Sequence, residues 1–258
     1  MDLTAENYYS QEANNEYLSA SYVKAFMNCE AAAEAERRGY WKQETNTAML
    51  VGSMVDAILT DDFSAFLEAH PEVRKKDGGL KADFVQAQQM AERALKDDFF
   101  RETLEGEHQK ILTGEIGGLA FKAKLDSYVP GKRIVDLKTT KDMRPVFVPN
   151  YGRVDFATAW NWPLQLAIYR ELEGNRLPCY LAVITKEAPP DIAVIRVPDS
   201  RLDTEMEVLE ARLPRIDAVR RNLVAPKRCG KCAYCRATKV LDGYTTLDEY
   251  EDGGITDE

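Results

Sequence analysis

The sequence predicts an α/β fold: a mixed central sheet of about five strands flanked by helices, with N-terminal helices before it and a C-terminal cysteine-rich loop after it. Three observations point there. Helical periodicity fills the early chain, strict apolar–polar alternation starts after Lys110, and a further helix separates those strands from two more.

In chain order, Leu18-Ser19 precede an apolar-periodic stretch from Tyr22 to Arg37, read as one helix with Ser19 or Ser21 as its cap. Ala48 to Leu59 is a short, strongly apolar helix containing Gly52, and residues from about Leu80 to Leu104 have helical spacing. Ile111 to Ile116, the turn at Gly117-Gly118 and Leu119 to Tyr128 form a hairpin. In its second strand Leu119, Phe121, Ala123 and Leu125 alternate with Lys122, Lys124 and Asp126. Pro130-Gly131 turns the chain into a strand from Arg133 to Thr139. A helix from Asn161 to Glu173, with Asn161 as cap and Pro163 in its first turn, leads to strands Cys179 to Lys186 and Asp191 to Val197. A last helix runs from Asp199 to Asn222. There are no repeats, so the reading is an N-terminal extension (1–17), one domain (18–241) and a tail (242–258).

The 258 residues carry 34 Lys+Arg against 43 Asp+Glu, a formal charge of −9. No apolar run approaches the roughly 20 residues that cross a bilayer, and the N-terminus lacks a signal pattern. The expectation is a cytoplasmic protein with no membrane partner. The net charge hides its distribution. From Asp242 onward there are seven acids and no base, a solvated tail, whereas Arg212 to Lys239 holds nine bases and one acid. Taken alone, such a basic run is a solvated face; phosphate binding needs other features to call for it.

Those features begin in the sheet. Asp136 and Lys138 are two apart on a strand and therefore share a face, and Asp126 ends the preceding strand. Carboxylates brought together repel unless a hard cation neutralises them, and a lysine beside them can orient water or balance an oxyanion. An isolated Asp-x-Lys is far more often an ordinary surface pair. Asp56 is a charge inside an apolar helix, one turn after Gly52, and Gln165 and Tyr169 lie four apart on one helix face.

In this order the motifs resemble the PD-(D/E)xK nuclease superfamily, more narrowly its RecB-like branch and the phage exodeoxyribonuclease VIII (RecE-like) proteins. The pieces are 18–24, Gly52 with Asp56, Lys124-Leu125-Asp126, Asp136-Leu137-Lys138-Thr139-Thr140, and Gln165 with Tyr169. The resemblance implies a restriction-endonuclease-like core. It also implies Asp126 and Asp136 as metal-binding carboxylates, Lys138 as the catalytic lysine, and Gln165 and Tyr169 as site-positioning groups. Asp56 stands where this branch usually has His and is a further ligand for Mg²⁺ or Mn²⁺. Glu115 is a candidate extra ligand, or simply an exposed hairpin acid. With only two His, a Ser-His-Asp or Cys-His mechanism has little support.

Cys229, Cys232 and Cys235 form C-x₂-C-x₂-C, which in a cytoplasmic chain reads as metal ligation, with Cys29 as the fourth ligand and Cys179 as a core thiol. One early and three late cysteines resemble the iron–sulphur nucleases of the Cas4 and AddB types, although their late spacing is usually C-x₂-C-x₅-C. This implies a structural 4Fe–4S cluster, with Zn²⁺ as the alternative. A cluster here would fix Arg228, Lys231 and Arg236, with Arg220 and Arg221 nearby, as phosphate contacts. Trp160 and Trp162 could stack on a splayed base, with core packing expected for at least one. The function expected is a metal-dependent DNA exonuclease acting on double-stranded ends in phage-type recombination. A RecT-like single-strand annealing protein is the implied partner, and a homo-oligomer is compatible with it. The alternatives are a Cas4-like nuclease that trims single strands and an inactive DNA-binding module.

Overall fold

The computed structural model describes residues 1–42, 46–149, 151–241, 243–244 and 246–247, so the acidic tail lies almost wholly outside the described residues. Helices α1 (Gln11–Glu16), α2 (Ala20–Asn28), α3 (Glu30–Arg37), α4 (Thr47–Leu59), α5 (Phe63–Ala69), α6 (Ala82–Leu95) and α7 (Asp98–Leu104) come first. Strands β1 (Glu107–Ile116), β2 (Leu119–Val129) and β3 (Arg133–Thr140) follow, then a hairpin of β4 (Val146–Val148) and β5 (Gly152–Val154). The remainder is α8 (Phe156–Ala159), α9 (Trp162–Glu173), β6 (Cys179–Thr185), β7 (Ile192–Val197), α10 (Asp199–Glu210), α11 (Leu213–Arg220) and α12 (Ala233–Ala237).

Five strands make one mixed sheet in the order β1-β2-β3-β6-β7, as expected. Only β3 and β6 run parallel, and the crossover that a parallel pair requires carries α9. The β1–β2 turn is tight because Gly117 and Gly118 both adopt positive φ (55° and 78°), matching the right-handed twist of the strands. Helices cover both faces. On one, Phe121, Leu125 and Ile134 pack with Val23, Leu164, Ile168, Leu202 and Ile216. On the other, Val135, Ala182 and Ile184 pack with Met54, Phe84, Met90 and Phe100. Burial on both faces explains why β6 reads as a continuous apolar run and not as an alternation.

The expected helix from Tyr22 to Arg37 is two helices. Cys29 is extended (φ −164°, ψ 106°), and the N–H of Ala31 bonds to the carbonyl of Lys227. Ser19 is the cap of α2, accepting from the Tyr22 N–H at 3.2 Å. The stretch 80–104 also divides, because the Asp97 side chain takes the Phe100 N–H and starts α7. The last long helix becomes α10 and α11, with Pro214 in the first turn of α11. Asn161 precedes α9 but makes no side-chain cap bond; its φ of 51° turns the backbone instead. The extension 1–17 contains α1, capped by Ser10.

Candidate active site and cysteine centre

The β2–β3 ladder pairs Ser127 with Val135, Tyr128 with Ile134 and Val129 with Arg133, and ends there. Just beyond it the Asp126 carboxylate accepts the Leu137 N–H at 2.8 Å, replacing a strand partner with a side chain. Asp136, on the facing strand, is fully buried. Its Oδ1 accepts from Gln165 Nε2 at 3.0 Å, and its Oδ2 lies 2.6 Å from Lys138 Nζ. At that distance the ammonium is the partner of Oδ2, in a buried charge pair. Burial, then the charge of Asp136, pushes Asp126 up to about 8. Burial pulls the Lys138 ammonium down, but Asp136 and Asp126 outweigh it and hold Lys138 above its ordinary range.

Asp56 reaches the same cavity from α4, accepting from Gln109 Nε2 at 3.1 Å, and burial raises its pKa. α4 approaches β3 closely at Gly52, where a Cβ would stand 3.3 Å from Thr139 Oγ1. Three carboxylates whose charges act on one lysine fit a hard divalent cation with oxygen ligands. Gln165 is fixed from two sides: its Oε1 accepts from Lys24 Nζ at 2.8 Å and its Nε2 donates to the Tyr169 hydroxyl at 2.7 Å. Burial and then the charge on Lys138 bring Lys24 down to about 8, and burial followed by Asp136 raises Tyr169. Lys24 and Gln109 were not singled out from sequence. Lys24 lies in the quoted 18–24 segment and had a signal; Gln109, at the positive-φ position facing Asp126, had none.

The cavity has a volume of about 1510 Å³ and is lined by Asp56, Asp126 and Lys138 together with basic side chains from β2, β3 and the β4–β5 hairpin. Glu115 is exposed and six residues along β1 from Gln109, about 20 Å at the rise of a strand, and does not line it. Trp160 is exposed on the cavity wall, whereas Trp162 is buried in the core.

The four expected cysteines meet. Cys29 Sγ is 3.6 Å from Cys235 Sγ, Cys229 Sγ is 4.0 Å from Cys235 Sγ, and all four sulphurs lie within 4.8 Å of one another. The N–H groups of Cys232 and Cys235 point to the sulphurs of Cys229 and Cys232 at 3.3 and 3.4 Å. A tetrahedral ion with metal–sulphur bonds of about 2.3 Å sets its ligands about 3.8 Å apart. In a four-iron cluster each thiolate has its own iron, which adds the iron–iron edge to that spacing and gives about 6 Å or more. The four thiols form a donor set suited to a shared metal centre, and their present spacing is nearer the single-ion value. Cys179 is buried in the core, as expected.

The basic residues around this centre do not line the cavity. Arg228 donates to the Cys235 carbonyl and to Thr238 Oγ1 and lies over the Tyr234 ring. Arg220 donates to the Asn15 carbonyl at 2.6 Å, and Arg221 pairs with Asp217 at 3.3 Å. Lys231 and Arg236 are exposed beside the cysteines.

Residues 19–238 match the family described as a PDDEXK-like domain of unknown function (DUF3799). The fold matches the crystal structure of a "putative exonuclease" from Eubacterium rectale with TM-score 0.95 and 38% identity, covering 99% of this chain and 100% of that one. The structure of SSO0001 also aligns, at TM-score 0.32 and 16% identity over 87% and 97% of the two chains, too weakly to carry an argument. No curated protein matches the sequence. The match over residues 19–238 settles the family: the chain belongs to the PDDEXK-like family, and with the neighbouring structure this supports a nuclease.

Proposed function

We propose that the protein is a divalent-metal-dependent DNA exonuclease that hydrolyses phosphodiester bonds at double-stranded ends, in recombination of the phage type. The observation that carries this reading is the buried Asp136 carboxylate paired with Lys138 beside a second buried carboxylate, Asp126. Asp56, Asp126 and Asp136 would hold Mg²⁺ or Mn²⁺, which when bound supplies Lewis-acid charge on the phosphate and lowers the pKa of water. Lys138 orients the attacking water and balances charge that builds on the phosphate oxygens. Gln165 locks one oxygen of Asp136 so that the other stays directed at the lysine, and Lys24 and Tyr169 hold Gln165 in that pose. The RecT-like partner and a homo-oligomer belong to the same reading.

The test is degradation of end-labelled linear DNA with Mg²⁺ or Mn²⁺, with a closed circle of the same sequence as control. Loss of the linear substrate alone, abolished by Lys138→Ala and by Asp136→Ala, is expected. Equal activity in the wild type and both variants would overturn the site. For the second centre, the sulphur spacing supports a single Zn²⁺ over a 4Fe–4S cluster. Anaerobically purified protein should be colourless with one zinc per chain, and a band near about 400 nm with stoichiometric iron would reverse that assignment.

A further inference from the structure

The hairpin of β4 and β5 stands apart from the main sheet, and the sequence analysis did not anticipate it. Its inner face is valine: Val146, Val148 and Val154 are half-buried and anchor it. Its outer face is different. Phe147 is 71% exposed and pairs across the hairpin with Arg153, so the two side chains share one side. Arg153 lines the cavity, as do Arg144 at the start of the hairpin and Trp160 just after it, which is 57% exposed. The side chains of Lys141 and Arg153 make no hydrogen bond or ion pair with any described residue, and the Arg144 guanidinium has only a 3.9 Å pair with Glu187. Two large rings are thus exposed on the same stretch of chain as cations that no acid closely neutralises. Together they suit a ligand that offers flat apolar faces and regularly spaced negative charge.

Unpaired nucleotides have both. The carboxylates lie beneath this rim, with Asp136 fully buried and Lys138 only 18% exposed, so a phosphate has to descend to reach them. A strand can make that descent only after its bases leave the opposing strand. We propose that the β4–β5 hairpin and Trp160 form a single-strand platform at the cavity rim. Phe147 and Trp160 stack on unpaired bases of the strand being cleaved, while Arg144 and Arg153 hold its phosphates. Charge complementarity selects nucleic acid over an apolar peptide, and the two rings select an unpaired strand over an intact duplex, whose base faces are covered. The proposal rests on the nuclease reading for its strand but not for its binding energetics.

The experiment uses the full chain with Ca²⁺ as the only added divalent cation and no chelator, so that binding is read without cleavage and the cysteine-bound ion stays in place. Fluorescein-labelled oligothymidylate and a blunt-ended DNA hairpin are titrated by anisotropy against wild type, the double variant Phe147→Ala/Trp160→Ala, the conservative pair Phe147→Tyr/Trp160→Phe, and Arg153→Ala. The double alanine variant should lose about tenfold affinity or more for the oligonucleotide and less than threefold for the blunt duplex. The conservative pair should restore it. Arg153→Ala should weaken both ligands alike and lower the salt slope by about one. Oligonucleotide affinity within threefold of wild type in the double alanine variant, or an equal loss on both ligands, would overturn the platform. Cleavage of linear DNA by the wild type is measured alongside. Ring-dependent binding without any cleavage would sink the nuclease reading and leave the platform standing; cleavage with ring-independent binding would do the reverse.

Discussion

The carboxylate site and the cysteine centre are both suited to metal, yet they are built on opposite principles. The carboxylates sit on β2, β3 and α4 beside a large open cavity, with a single lysine paired to Asp136 and with Asp126 pushed up by burial beside Asp136. The four sulphurs are mutually close, with backbone N–H groups directed at two of them, and so point at one another and not at an open cavity. A site that does chemistry keeps a position and a charge uncompensated; a site that holds a fold closes its coordination. The first is fixed by rigid strands, and the second joins parts of the chain distant in sequence.

The largest test of this contrast is Lys138→Met. DNA cleavage should fall about a thousandfold or more, while melting temperature and metal content at the cysteines stay at wild-type values. A matching fall in stability would erase the distinction. Cys235→Ser should do the reverse: metal analysis should show the cysteine-bound ion lost, and calorimetry a melting temperature lower by about 5–10 °C. Cleavage by the remaining folded protein should persist at a temperature well below the new transition. Gln165→Ala sharpens the picture within the first site, because it frees Asp136 without removing a ligand. Mn²⁺ titrations of activity should show a loss of about 10- to 100-fold in metal affinity or rate.

The smallest effect concerns Lys122, buried on β2 with its ammonium on the Tyr8 carbonyl and Asn14 Oδ1. Burial lowers it from 10.5 to about 8. Between those values the unfolded chain holds a proton that the folded chain has released, so this residue's contribution to stability rises with pH across that window. Below pH 8 the cost of burying the charge is present in full. Melting curves of Lys122→Met against wild type should show a difference that changes between pH 8 and 10.5 and is constant below it.

Much of this was legible in the sequence where local pattern and tertiary need agree. The period-2 alternation of Leu119 to Asp126 and the two-residue offset of Asp136 and Lys138 fix which side chains share a face, and the structure has them so. Where the two conflict, the pattern misleads. Glu30-Ala31-Ala32-Ala33-Glu34 is as helical as its neighbours, and nothing local announces that Cys29 must be extended; the reason is the distant segment 227–235, whose Lys227 carbonyl takes the Ala31 N–H. The basic run of 212–239 was visible, but its arginines are engaged beside the cysteines and the N-terminal segment, and the cations that line the cavity are scattered over several elements. A hairpin with three residues per strand is too short to show a period, so the exposure of Phe147 could not be read beforehand.

The break at Cys29 also sets an order of events during synthesis. Cys29 and Cys235 are 206 residues apart, so the clasp they form cannot close until almost the whole domain has left the ribosome. Immediately before the break lies α2, which carries the lysine that steadies Gln165. Until the last cysteines arrive, that wall of the cavity is tied down at one end only. A nascent chain would therefore possess all three carboxylates and the lysine before the clasp has formed, so the ion arrives last, as a fastening on a site whose groups are already in place.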